Sequence, residues 1–203
     1  FECIQESNKI FEELNCRETV SLNALTSGYA QNGLSKEALL KFFSTVKEIK
    51  PHQYTFGSVL NAIAVAEDIS LNDGQCRHFH LLKLSLSTDP IVSGALLDMY
   101  GKCGDIIESQ RVFNETLERT QFAWTAIISA YACHGDFESV TSFHTEMERE
   151  GISPYSITFL SVLAACCRKG MIDVSHRVFD SMVKKHSIEP TSEHYSIMVD
   201  MLG

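Results

Sequence analysis

A chain of 203 residues that is 44% apolar and carries only four prolines holds enough apolar material for a sizeable core. No apolar run approaches the ~20 residues that a bilayer-spanning helix needs, and a formal net charge of −9 excludes a uniformly basic nucleic-acid domain. Seven cysteines, an odd number with no CxxC or Cys/His set at zinc spacing, point to reduced thiols and no metal site.

Phe1–Glu18 reads as the second helix of an incomplete repeat. A first helix then follows in NALTSGYAQNG from Asn23, and the same wording returns along the chain. GSVLNAIAVAE begins at Gly57, GALLDMYGKCG at Gly94, TAIISAYACHG at Thr125, LSVLAACCRKG at Leu160 and SIMVDMLG at Ser196. These starts are 34, 37, 31, 35 and 36 residues apart. Tyr29, Ile63, Tyr100, Tyr131, Cys166 and Leu202 share one apolar position. Gly33, Gly104, Gly135 and Gly170 share the turn between helices, where glycine carries no Cβ penalty, while Glu67 breaks that series.

The stretch ALLDMYGKCGDIIESQRVF, from Ala95 to Phe113, shows one unit in full. Leu96, Leu97 and Tyr100 make a helical stripe, Gly101 and Gly104 bracket a stop, and Asp105 caps a second helix whose Ile106, Val112 and Phe113 face back. Pro51, Pro154 and Pro190 end the long units. Ser192–Gly203 reads as a first helix cut short, so a piece of a longer array is expected. The periodicity predicts an all-α chain of tandem helix-turn-helix units.

Enzyme signatures are missing: the sequence has no phosphate-binding glycine loop, no nucleophile elbow, no HExxH and no zinc-deaminase pattern. No catalytic residue and no cofactor is therefore expected. His78 and His80 lie two apart and do not share a helix face, which makes them bystanders rather than ligands. Carboxylates such as Glu146, Glu148 and Glu150 read as a solvated face.

The hairpins, their spacing and the phrases LLDMYGKCGD, AWTAIISAYACHG, ITFLSVLAACCRKG and IEPTSEHYSIMVDMLG resemble the pentatricopeptide repeat family, and within it the plant P-L-S class. The resemblance covers essentially the whole chain. It divides it into a partial short unit (1–18), a standard unit (19–52), a longer one (53–89), a short one (90–120), a standard one (121–155), a longer one (156–191) and a truncated short one (192–203). Tetratricopeptide repeats, the rival, keep a fixed period of about 34.

The resemblance implies a right-handed α-solenoid superhelix with first helices on its concave face, each unit meeting one nucleotide of single-stranded RNA. The implied base-reading pairs are Asn23 with His52, Gly57 with Asp89, Gly94 with Thr120, Thr125 with Tyr155, and Leu160 with Thr191; Ser196 opens the last unit. In the family, Asn at the first reading position leans towards pyrimidines and Thr towards purines. Gly57, Gly94 and Leu160 have no side chain that hydrogen-bonds a base, and the plain alternative is that all these positions cap or pack helices. Val20, Tyr54, Ile91, Phe122 and Ile157 are the implied base-sandwiching residues, and Lys102 and Arg168 the implied phosphate contacts.

Two functions remain open at this point. One is a sequence-specific single-stranded RNA-binding module of a mitochondrial or chloroplast factor, directing C-to-U editing by a deaminase that resides elsewhere. The other is a protein-interaction solenoid that binds multiple organellar editing factor proteins. Uncapped terminal repeats would also allow dimerisation. Residues 121–155 hold five carboxylates against Arg149 alone, which favours the protein scaffold unless the acids are segregated from the inner face.

Overall fold

The computed structural model describes residues 19–34 and 90–201, together with positions 6, 9, 11, 37, 38, 41, 42 and 60. The chain forms two compact units, Phe1–Met99 and Tyr100–Gly203. Helices are α1 (Thr19–Gln31), α2 (Pro90–Lys102), α3 (Ile106–Glu115), α4 (Gln121–His134), α5 (Phe137–Arg149), α6 (Ser156–Lys169), α7 (Ile172–Asp180) and α8 (Ser192–Asp200). A π-helical turn, Ser181–Lys185, extends α7. No strand occurs among the described residues.

Within the second unit, α4, α6 and α8 are consecutive first helices and pack side by side, while α5 and α7 each pack against the first helix of their own hairpin. The sequence explains the two roles. Helix α4, QFAWTAIISAYACH, is apolar nearly all round and buries nine residues from Ala123 to Ala132. Helix α5, FESVTSFHTEMER, buries only Val140 and Met147 and turns its carboxylates outward.

Among the described residues, four hairpin turns fall on the predicted glycine. Gly33, Gly104, Gly135 and Gly170 have φ of 73°, 87°, 76° and 70°, a left-handed conformation that other residues rarely adopt. The residue after each glycine donates its N–H back to the shared apolar position: Leu34 to Tyr29, Asp105 to Tyr100, Asp136 to Tyr131 and Met171 to Cys166. This satisfies carbonyls that the helix end leaves open. Asp105 then accepts from the Glu108 N–H at 3.1 Å, and Asp136 from the Ser139 N–H at 3.0 Å, so two second helices start on a carboxylate cap.

Gly101 departs from its predicted role as a stop. It lies inside α2, and a Cβ built there would stand 2.5 Å from the Ala130 Cβ on α4. The glycine is needed for close approach of two helices, not for chain termination.

The core of the second unit is aromatic. Phe113 meets the Trp124 ring edge-on at 4.7 Å and Phe143 at 5.4 Å, and Tyr131 stacks on Phe143 at 5.3 Å. Arg119 covers Phe113 at 4.6 Å. Ion pairs between successive hairpins of this unit, Arg119–Glu150, Lys169–Glu138 and Lys185–Glu148, lie at the rim and contribute little each.

One polar cluster makes stability depend on pH. His144 on α5 lies edge-on to Phe159, 5.5 Å away, with its Nε2 buried and without a hydrogen-bond partner. Burial pushes its pKa down, against the pull of Glu148 and with repulsion from His186 and Lys185. Glu148 Oε1 accepts from Lys185 Nζ at 2.7 Å and His186 Nε2 at 2.9 Å. Burial pushes the Glu148 carboxyl up, but these donors outweigh it and hold it below its ordinary value.

The signs agree. The unfolded chain protonates His144 before the folded chain does, so stability is full above the ordinary value of 6.5 and falls as pH drops through it. The Glu148 contribution is present above the ordinary 4.5 and is lost as pH falls further. Urea unfolding should therefore show stability declining from pH 7.5 to 5.5, with a shallower decline in His144→Phe. Equal slopes in parent and variant would contradict this.

Candidate nucleic-acid interface

The helix starts fix the geometry of the site. Thr19, Pro90, Gln121, Ser156 and Ser192 open the described first helices. Asn23, Gly94, Thr125, Leu160 and Ser196 are consequently the fifth residue of each. Val20, Ile91, Phe122 and Ile157 are each the second residue, and Lys102 and Arg168 the thirteenth of α2 and α6. At 100° per residue, second, fifth and thirteenth positions share one stripe of a helix.

The second-position side chains are large, apolar and exposed: Val20 by 67%, Ile91 by 39%, Phe122 by 46% and Ile157 by 63%. Their equivalents in ordinary amphipathic packing would be covered. Each of these four helices thus exposes a large apolar residue at the same position of its first turn.

Fifth positions are more varied. Asn23 is half-buried, and its Oδ1 is shut from solvent with no hydrogen-bond partner. An amide oxygen in that condition lacks a donor, which is costly unless a ligand supplies one. Gly94 is buried, Leu160 half-buried and Ser196 exposed. Thr125 is buried, and its hydroxyl donates to the Gln121 carbonyl at 2.9 Å and meets the Thr158 hydroxyl at 2.7 Å. Ser129 and Ser161 make a second hydroxyl pair at 2.8 Å, so α4 and α6 are joined by two polar rungs.

Closing residues sit immediately before the next first helix. Thr120 accepts from the Ala123 N–H at 3.2 Å and caps α4. Tyr155 precedes α6 and is 45% exposed, and its N–H donates to Thr158 Oγ1 at 3.0 Å. Thr191 precedes α8; its N–H donates to His194 Nδ1 at 3.2 Å, which fixes the tautomer with Nε2–H donating to the Ser156 carbonyl at 3.0 Å. Thr120 and Thr191 thus have capping roles whatever else they do.

Of the two phosphate candidates, Lys102 is exposed. Arg168 is exposed as well, but its guanidinium donates to the Ala132 carbonyl at the end of α4. His134 repeats that arrangement, with Nδ1 at 2.8 Å from the Ala130 carbonyl and Nε2 at 3.1 Å from the Gly104 carbonyl. His52, Tyr54, Gly57 and Asp89, with His78 and His80, lie outside the described residues. The sequence reading missed Thr158, Ser129 and Ser161, whose pairing links residues 32 or 33 apart. The one local sign was Thr158 standing three residues after Tyr155, the residue that caps α6.

Acids are segregated. Helices α1, α4 and α6 contain no Asp or Glu and α2 contains only Asp98, while the last first helix, α8, carries Glu193 and Asp200. The second helices α3, α5 and α7 carry Glu108, Glu115, Glu138, Glu146, Glu148, Asp173 and Asp180. The net charge of −9 therefore does not describe the first-helix face.

Stacked hairpins with this turn, cap and spacing define a helical-repeat solenoid. The PPR repeat model matches residues 20–44, 92–119 and 157–187, and the PPR repeat family model matches 119–168, together more than half of the sequence. The chain belongs to the pentatricopeptide repeat family. It is 55% identical over its full length to a mitochondrial pentatricopeptide repeat-containing protein of Arabidopsis thaliana, covering 27% of that protein. It is 36% identical over its full length to the chloroplastic pentatricopeptide repeat-containing protein CRR2 of the same plant, covering 31% of it. The chain spans between 23% and 40% of the length of such relatives. Among solved structures, maize PPR10 in complex with an 18-nt psaJ RNA element matches 97% of this chain with a TM-score of 0.73 at 21% identity, over 29% of its own length.

Proposed function

We propose that this chain is a sequence-specific single-stranded RNA-binding module of an organellar RNA-processing factor of the P-L-S class, and that its task is site recognition for C-to-U editing. The observation that carries the reading is the exposed apolar residue at the second position of α1, α2, α4 and α6, on helices nearly free of acids. A row of bases needs flat or apolar surfaces between which to sit and a wall that does not repel phosphate. Val20, Ile91, Phe122 and Ile157 meet the first need, and Lys102 with the free part of the Arg168 guanidinium the second. Asn23 and Thr125 are the reading residues best supported by chemistry. Gly94 and Leu160 contribute shape, Thr120, Tyr155, Thr191 and Ser196 lie at the unit junctions, and His52, Tyr54, Gly57 and Asp89 complete the set.

The RNA complex of maize PPR10 supports the ligand class, and the mitochondrial and chloroplastic names of the relatives support an organellar site of action. First helices that start 31, 35 and 36 residues apart at Pro90, Gln121, Ser156 and Ser192 support the P-L-S assignment. Selection from a random single-stranded RNA pool tests the reading. The parent should enrich a sequence, and Asn23→Ala and Thr125→Ala should each relax one position of it. Equal enrichment by parent and variants would remove the base-reading role, and preference for duplex would remove the single-strand role. Binding should weaken linearly in log salt, in proportion to the few phosphates contacted. Phe122→Ala should weaken binding by about 1–3 kcal/mol with little change in thermal stability, since its ring is exposed. An unchanged Kd would contradict the stacking role.

A protein-binding role has its own support in Ile107 and Leu117, exposed by 77% and 87% on and beside the second helix α3. Capture of a multiple organellar editing factor protein that Ile107→Asp abolishes would establish it, and the two roles use different faces.

A further inference from the structure

The hydroxyl of Thr158 lies one repeat beyond Thr125 and is fully buried. Its contacts settle where every proton goes. The Tyr155 N–H donates to Thr158 Oγ1 at 3.0 Å, and Thr125 Oγ1 donates to the Gln121 carbonyl at 2.9 Å. Each hydroxyl has a single proton, so the 2.7 Å contact between them carries the proton of Thr158. Reversing it would leave the buried Thr158 proton without an acceptor, a costly arrangement, whereas the Gln121 carbonyl keeps the helical N–H of Thr125 in either case. The chain therefore runs in one direction, from the Tyr155 amide through Thr158 and Thr125 to Gln121.

We infer that Thr158 is a positioning residue that makes Thr125 an acceptor-only reader of RNA. The inference rests on the base-reading role proposed above and deepens it. Thr125 has given its proton to Gln121 and accepts one from Thr158, which leaves one lone pair for a ligand. Thr125 is 6% exposed, so its hydroxyl meets a ligand over a narrow opening while both protein partners stay in place. The group it fits is a base N–H donor, such as an exocyclic amine, and not a ring nitrogen acceptor. Gln121 is itself anchored, since its Nε2 donates to the Ser153 carbonyl at 2.6 Å, so the helix start cannot shift to release the proton.

The test uses the RNA sequence enriched by the whole chain and the nucleotide in it that Thr125→Ala relaxes. Five versions of that RNA carry A, G, C, U or purine riboside at this nucleotide. Purine riboside keeps the ring acceptor of adenosine and lacks its amine. For the parent, purine riboside should bind about three- to tenfold more weakly than adenosine, the effect of one hydrogen bond. Thr158→Val should remove that difference and flatten preference at this nucleotide, while preference at the nucleotide read by Asn23 stays unchanged. Thr158→Ser, which retains the donor, should restore the parent pattern. A merely structural loss would lower binding for every RNA alike. Purine riboside binding as well as adenosine to the parent would overturn the inference, as would parent-like preference in Thr158→Val. A pool that enriches nothing removes the RNA reading itself and this role with it.

Discussion

Thermal unfolding of Trp124→Ala is expected to show a loss of about 3–5 kcal/mol, the range for truncating a large aromatic residue in a core. Trp124 is fully buried and its ring lies 4.7 Å from Phe113 and 6.3 Å from Phe143, with Arg119 at 5.8 Å. It joins α3, α4 and α5, so its removal opens a void that two hairpins share and that neither can close alone. For a domain of this size the Tm should fall by roughly 6–20 °C. Trp124→Phe is the informative control. The indole Nε1 is buried without a hydrogen-bond partner, so phenylalanine removes an unsatisfied donor as well as some volume. Its cost should be less than half that of alanine. A loss under about 1 kcal/mol for Trp124→Ala would contradict the packing described.

The second large effect is at Gly101, where the usual expectation for a helical glycine reverses. Gly→Ala in an open helix stabilises by about 0.5–1 kcal/mol through lower unfolded-state entropy and better propensity. Gly28 on α1 is such a site, with nothing within 4 Å of a built Cβ, and Gly28→Ala should raise stability by that amount. At Gly101 the same methyl would meet Ala130 Cβ at 2.5 Å and Ala130 Cα at 3.2 Å, so α2 and α4 must separate. Gly101→Ala should cost about 1–3 kcal/mol, and Gly101→Val more. Because first helices set the repeat-to-repeat spacing, the same change should also weaken RNA binding. Ala130→Gly should restore most of the loss, as a double-mutant cycle between touching groups requires. Destabilisation that Ala130→Gly leaves intact would place the fault elsewhere.

Hairpins were legible in the sequence because their determinants are local. Gly33, Gly104, Gly135 and Gly170 each stand where the chain must turn left-handed, and Asp105 and Asp136 stand one residue later as caps. That Val20, Ile91, Phe122 and Ile157 each take the second position of a first helix could be counted off from the repeat starts alone. Gly101 was misread because a glycine near a helix end looks the same whether it stops the helix or admits a neighbour; the neighbour, Ala130, is 29 residues away. The Thr125–Thr158 and Ser129–Ser161 pairs were hidden for the same reason: hydroxyls that meet across a repeat leave no mark in either local pattern. Arg168 looked like a free cation until its bond to the Ala132 carbonyl was seen. The segregation of acids was present in the sequence but gained meaning only once α4 and α6 were known to lie side by side.

Photocrosslinking tests the central claim most directly. The enriched RNA, carrying 5-iodouridine at successive positions, is irradiated with the protein at low salt and the joined peptides are mapped by mass spectrometry. The account predicts adducts in the opening turns of α4 and its equivalents, at Phe122 above all, moving one repeat along the chain per nucleotide. Adducts confined to α3, α5 and α7, or no adduct from an RNA that binds, would contradict it.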